Sequence, residues 1–184
     1  MIIGVDIDGV LANYYQGIKD YANENGLNIV SHSPVTYGMV EEGCFGSKEE
    51  FLITHKNFVA QGGLGELSIL DQQASQLIND LYDDGHTINI ITAREVEGVS
   101  TDFIREQTEN WLDKHNFKYH KLIITHDKHT VDCDVYIDDS PYNYATLSSH
   151  DKLVYLYDSS YNVDVDSDNR VESFKDFVEK ISSC

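Results

Sequence analysis

Five short apolar runs constrain the fold of this chain more than any other feature: residues 2–5, 87–91, 121–124, 134–137 and 153–156. Each is rich in β-branched residues and bounded by polar or turn residues, which predicts strands covered on both faces. Between the runs the apolar spacing changes to that of helices. Leu70, Ala74, Leu77, Ile78 and Leu81 share one face of residues 70–84, which Gly85 stops, and Phe103, Ile104, Trp111 and Leu112 pattern residues 100–115. Phe174, Phe177, Val178 and Ile181 form the inner face of a last helix. Alternation of this kind predicts an α/β protein with a doubly wound parallel sheet, strand order 3-2-1-4-5. Such a sheet binds its ligands beyond the carboxyl ends of its strands.

The first connection is anomalous, because residues 9–86 far exceed the helix and short loops that a crossover needs. The excess predicts a small helical cap over residues 15–68, inserted into a Rossmann-like core made of residues 1–14 and 69–184. Within the cap, Ser47 with Glu50 reads as a capping box that opens a helix carrying Phe51, Leu52, His55, Phe58 and Val59. Gly43, Gly46 and the run Gly62-Gly63-Leu64-Gly65 punctuate it. The glycine run lacks the Gly-Lys-Ser/Thr ending of a phosphate loop and follows no strand, so a hinge or linker is expected.

Charge bears on partners. The chain has 32 acidic and 13 basic residues among 184, a net charge of −19, which argues against nucleic acid as a partner and admits small anions only in a locally compensated pocket. Cys44, Cys133 and Cys184 are odd in number and widely spaced, as in a reducing compartment. No leader-like start and no run of eighteen apolar residues is present, so a soluble, cytoplasmic protein without membrane contact is expected.

Four of the expected strands end in residues that phosphate chemistry uses. Asp6 and Asp8 follow the first, Thr92 and Arg94 the second, His126 and Lys128 the third, and Asp138 and Asp139 the fourth. Carboxylates in proximity raise one another's pKa unless a cation lies among them. A Mg²⁺ ion, which prefers oxygen ligands, would relieve Asp6, Asp8, Asp138 and Asp139, while Lys128 and Thr92 would hold a phosphoryl group.

In order along the chain, "DIDGV", "IITAR", the lysine of "THDKHTVDCD" and "VYIDDS" resemble the four motifs of the haloacid dehalogenase superfamily of phosphohydrolases. "DIDGVLANY", "ENWLDKHNF" and "THDKHTVDCDVYIDDSP" resemble its 5'(3')-deoxyribonucleotidase branch, which carries a small helical cap after the first strand. The resemblance implies Asp6 as the nucleophile that forms an aspartyl-phosphate and Asp8 as the proton shuttle. It implies Mg²⁺ held by Asp6, by Asp8 through its main-chain carbonyl and by Asp138, with Asp139 in support, and phosphoryl oxygens held by Thr92, Ala93, Arg94 and Lys128. It implies a nucleoside monophosphate as substrate, and its dimeric relatives make a homodimer an expectation. His126 stands where the family often has arginine.

Plainer readings stand beside these. Arg94 reads either as a phosphate ligand or as the partner of a surface acid. Asp164, Asp166 and Asp168 imitate a calcium loop, yet Asn169 and Lys175 replace the glycine and glutamate it needs, so a solvated acidic turn is expected. His115, His120, His126 and His129 read as exposed side chains, not metal ligands. Tyr14, Tyr15, Tyr37, Phe45 and Phe58 read mostly as cap core, with one or two free to stack on a base. Trp111 reads as core. The same chemistry on a sugar phosphate is the nearest alternative. A catalytically silent nucleotide-binding protein is a remoter one, against which Asp6 and Asp8 argue, and a receiver-type phospho-switch would place its lysine last, whereas here Lys128 precedes Asp138 and Asp139.

Overall fold

The computed structural model describes residues 1–40 and 44–183, so Gly43 and Cys184 lie outside the described residues. Strands β1 (Ile2–Val5), β2 (Thr87–Thr92), β3 (Lys121–Ile124), β4 (Val135–Asp138), β5 (Val154–Tyr157) and β6 (Arg170–Val171) form one parallel sheet in the order β3-β2-β1-β4-β5-β6. The predicted order is found, extended at one edge by β6. That strand pairs Tyr157 with Val171, so the acidic turn of residues 164–169 leads into the sheet as well as into the last helix. Ile3, Val5, Ile88, Ile90, Val135 and Ile137 are buried on one face and Ile91 and Tyr136 on the other, as strands covered on both faces require. Successive strands run from β1 to β2 and β3 on one side, then cross to β4 on the other. The switch point therefore lies beyond the carboxyl ends of β1 and β4.

Helices α1 (Tyr14–Glu24), α2 (Lys48–Ala60), α3 (Ala74–Asp83), α4 (Thr101–Lys114), α5 (Pro141–Ser149) and α6 (Phe174–Ser182) complete the layers. The helix expected from residue 70 begins four residues later. The Leu70 N–H donates to the Leu11 carbonyl at 2.8 Å and Ala12 bridges Ile69, so this backbone is committed to the loop after β1. Trp111 is fully buried in α4 and its Nε1 donates to the Leu67 carbonyl at 2.7 Å, whereas Phe103 in the first turn is exposed. Phe174, Phe177 and Ile181 are buried on α6, as their spacing predicts.

Between β1 and α3, Ile18, Ala22, Ile29, Met39 and Phe45 gather a small apolar cluster of their own. Phe58, Val59, Leu64 and Leu67 instead join the main core. Ser47 Oγ accepts from the Glu50 N–H at 3.1 Å, but Glu50 reaches back to the Gly46 N–H at 2.7 Å, one residue beyond a standard capping box. The glycine run is no free hinge. Gly63–Glu66 form a 3₁₀ turn with Leu64 buried, and a Cβ on Gly63 would lie 2.1 Å from the Phe58 ring. No helix among the described residues is long and apolar enough to cross a membrane.

Candidate active site

The end of β1 sets the floor of the site. The Asp6 N–H continues the β1–β4 pairing by donating to the Ile137 carbonyl at 3.1 Å, and the N–H groups of Leu11 and Ala12 both turn back to the Ile7 carbonyl at 2.8 Å. Gly9 makes this turn possible, with φ at +85° and so little room that a Cβ would meet Asp139 Oδ2 at 2.1 Å. Asp6 and Asp8 take different partners. Asp6 Oδ1 lies 2.8 Å from Lys128 Nζ, whereas Asp8 is gripped by Arg94, Nε to Oδ2 at 2.8 Å and Nη2 to Oδ1 at 2.7 Å. Arg94 is buried and also donates to Thr108 Oγ1 at 3.2 Å. Arg94 thus pairs with an acid, as one expected reading had it, but that acid is internal to the site and not on the surface.

Lys128 enters from a 3₁₀ turn, Lys128–Thr130, and its ammonium also meets Asp138 Oδ2 at 2.6 Å. Asn143 Nδ2 donates to both Asp138 oxygens at 3.0 and 3.1 Å, and the Ser140 N–H donates to Oδ1 at 3.0 Å. Asp138 is thus saturated. Asp139 receives the Tyr161 hydroxyl on Oδ2, while its Oδ1 is buried without a hydrogen-bond partner.

Electrostatics follow from this packing. Burial pushes the Asp6 carboxyl up to about 7, against the pull of Lys128 and with help from Asp138 and Asp8. Burial, then Asp6 and Asp138, drive Asp139 well above the ordinary carboxylate range. Burial opposes the Lys128 charge, but Asp138 and Asp6 prevail and raise its pKa. Asp6, Asp138 and Asp139 offer oxygens that all lie within 4.8 Å of one another. Three buried carboxylates face one ammonium, and one oxygen is orphaned, a donor set that fits a hard divalent cation. The Asp8 carboxylate turns to Arg94 and lies outside this cluster, which leaves its main-chain carbonyl as the group expected at the metal. The oxygen without a hydrogen bond belongs to Asp139, which was expected only in support.

A cavity of about 780 Å³ opens above these groups. Thr92, Ala93 and Lys128 line it, together with the aromatic rings of Tyr14, Tyr15, Tyr37 and Phe51. Tyr14 Oη lies 2.5 Å from His55 Nδ1, and Phe51 stacks on His55 with centroids 5.9 Å apart. Burial lowers the His55 pKa, so the ring is neutral near pH 7. Phe45 and Phe58 are buried in the two apolar clusters. His126 is exposed at the rim, 3.7 Å from Glu95. His120 stacks on Tyr82, His129 on His150, and His115 packs against Trp111, so His115 and His129 are only partly exposed. Among the described residues no group of three or more potential ligands includes a histidine or Asp164, Asp166 and Asp168.

Asn143 and Tyr161 are site residues that sequence reasoning missed. Asn143 had a signal: the Ser140-Pro141 start of a helix turns residue 143 back over the end of β4. Tyr161 had none, because its partner is reached only through the β5–β6 loop.

Comparison with known proteins agrees with this geometry. The model of the 5' nucleotidase, deoxy (pyrimidine), cytosolic type C protein family matches residues 1–183. A Chlorobaculum tepidum protein named as a candidate 5'(3')-deoxyribonucleotidase is 30% identical over the whole chain and 91% of its own length. The fold is shared with D,D-heptose 1,7-bisphosphate phosphatase of Burkholderia thailandensis, at 10% identity and TM-score 0.58 over 100% of this chain and 99% of that one. It is shared also with a candidate haloacid dehalogenase-like hydrolase of Bacteroides fragilis, at 15% identity and TM-score 0.60 over 94% and 96% of the two chains. The chain belongs to the 5' nucleotidase, deoxy (pyrimidine), cytosolic type C family and is a phosphoric monoester hydrolase of the 5'-nucleotidase type.

Proposed function

We propose that this protein is a Mg²⁺-dependent phosphatase of nucleoside monophosphates, acting on 5'(3')-deoxyribonucleotides through an aspartyl-phosphate on Asp6. One observation carries the reading. Lys128 clamps Asp6 and Asp138 beside the orphaned oxygen of Asp139, in a cavity also lined by aromatic rings. The name of the Chlorobaculum relative supports the substrate class. The free thiols of Cys44 and Cys133 support a cytoplasmic setting.

Asp6, Asp138 and Asp139 would hold the cation, which would supply positive charge to the phosphoryl oxygens and let the buried carboxylates ionise together. Thr92, the Ala93 backbone and Lys128 orient the phosphoryl group. Asp6 attacks phosphorus, the bond to the ester oxygen breaks, and that oxygen takes the proton of Asp8. Asp8, now a carboxylate, then removes a proton from water, whose oxygen attacks phosphorus and releases Asp6 and inorganic phosphate. Acid–base help of this kind contributes about 10² to 10⁴-fold. Arg94 keeps Asp8 aimed, a role its engaged guanidinium suits better than direct phosphate binding. Residues 15–68 act as the cap over a core of residues 1–14 and 69–184, and their aromatic wall receives the base.

The test is phosphate release from deoxy- and ribonucleoside monophosphates and common sugar phosphates, with Mg²⁺ or EDTA and with Asp6→Asn as control. Metal-dependent turnover of deoxynucleotides, lost in Asp6→Asn, is expected. Equal turnover of sugar phosphates would remove the substrate assignment, and turnover in EDTA would remove the metal.

A further inference from the structure

We infer that Tyr161 is a positioning residue that couples the seat of the cap loop, residues 31–40, to the orientation of Asp139. The inference rests on the metal-dependent reading above and deepens it. The Tyr161 hydroxyl donates to Asp139 Oδ2 and leaves Oδ1, buried and unpartnered, as the oxygen offered to a cation. A carboxylate held by one oxygen presents the other in a fixed direction, the usual work of residues behind a metal ligand. The space is tight as well. A Cβ at Gly9 would stand 2.7 Å from Tyr161 Oη, so the glycine admits the hydroxyl to this position.

The loop that carries Tyr161 is firmly anchored. Asn162 Nδ2 donates to the carbonyls of Asp139 and Tyr157, each at 2.8 Å. Arg170 donates in turn to Asn162 Oδ1 and to the Asn162 and Val165 carbonyls, all at 2.8 Å. From this base the chain reaches to the cap loop. Ser160 Oγ donates to the Pro34 carbonyl at 2.7 Å, and the Tyr37 ring meets the Tyr161 ring edge-on with centroids 5.6 Å apart. Adjacent side chains therefore hold the cap loop and, through the tyrosine, Asp139 as well. A displaced cap loop removes the Tyr37 ring from the side of the Tyr161 ring, and the hydroxyl is then aimed at Oδ2 less firmly. By linkage, cation binding favours the seated loop by the same factor.

Mn²⁺ binding measured by electron paramagnetic resonance, with no substrate present, tests this in the wild type, Tyr161→Phe and Tyr37→Ala. Tyr161→Phe keeps the ring and loses the hydroxyl, and Tyr37→Ala keeps the Tyr161 hydroxyl and removes the ring packed against it. Mn²⁺ affinity is expected to fall about 10-fold or more in Tyr161→Phe, and measurably in Tyr37→Ala, with unchanged circular dichroism. The metal concentration giving half-maximal turnover should rise in parallel in Tyr161→Phe while kcat recovers at saturating metal. Unchanged Mn²⁺ affinity in either variant overturns the inference and leaves the metal-dependent phosphatase intact. A wild-type protein that binds no Mn²⁺ overturns both.

Discussion

Arg94 and Asp8, 86 positions apart in sequence, form a bidentate pair at 2.7 and 2.8 Å with the guanidinium buried and the carboxylate partly open to the cavity. The fork fixes the plane of Asp8, which a lysine ammonium would not do. Arg94→Lys should therefore lower kcat at saturating substrate by about 10-fold or more, the worth of a lost charge-assisted hydrogen bond, with little change in KM. Steady-state kinetics on the best nucleotide of the panel measures both constants, and a rise in KM alone would show that Arg94 binds phosphate.

Lys128 is the only cation bonded to Asp6 and Asp138 among the described residues. Lys128→Met leaves two buried carboxylates without it, and removing one partner of a buried ion pair costs about 3–5 kcal/mol. The loss should be smaller near pH 5, where Asp6, its pKa raised to about 7, keeps its proton, than at pH 8. Urea unfolding of both proteins at the two pH values checks the size and the pH trend.

Metal-free protein should become less stable as pH rises. The Asp6 pKa is raised from its unfolded value of 3.8 to about 7, so the folded form binds the proton more tightly. That contribution is complete below the unfolded pKa and lost as pH climbs through about 7; Asp139 acts in the same direction. Thermal unfolding in EDTA should show Tm falling from pH 5.5 to 8. Added Mg²⁺ should raise Tm more at pH 8 than at pH 5.5.

Gly9→Ala would force a positive φ on an alanine and drive its Cβ against Asp139 Oδ2. The strained backbone alone costs about 1–3 kcal/mol. Displacement of Asp139 should add a loss of metal affinity that extra Mg²⁺ partly rescues. Unfolding free energy and a Mg²⁺ titration of turnover separate the two effects.

Tyr14→Phe removes the hydroxyl beside His55 and keeps the ring that lines the cavity. If that wall receives the base, KM should rise only about 2- to 5-fold in Tyr14→Phe, and by about 10-fold or more in Tyr14→Ala, the worth of a stacked aromatic. The kcat of Tyr14→Phe should be nearly unchanged, because uniform binding is what is lost. Comparing both constants for a nucleotide and for a sugar phosphate isolates the contribution of the base.

The sequence by itself determined the sheet, its order through β5, and the four strand ends at which Asp6, Thr92, Lys128 and Asp138 collect. These are written in local periodicity: short runs buried on both faces make strands, and a parallel sheet sends its chemistry to their carboxyl ends. Tertiary packing decided the rest. The helix over residues 70–84 lost its first turn because Leu70 pairs with Leu11, and a two-residue edge strand formed where only an acidic turn was legible. In the same way Arg94 found Asp8, Asn143 saturated Asp138, and Tyr161 left one oxygen of Asp139 free. Which oxygen of a buried carboxylate goes unpaired depends on the donors that distant loops bring to it. Most of those contacts join residues far apart in the chain, and no local pattern encodes them.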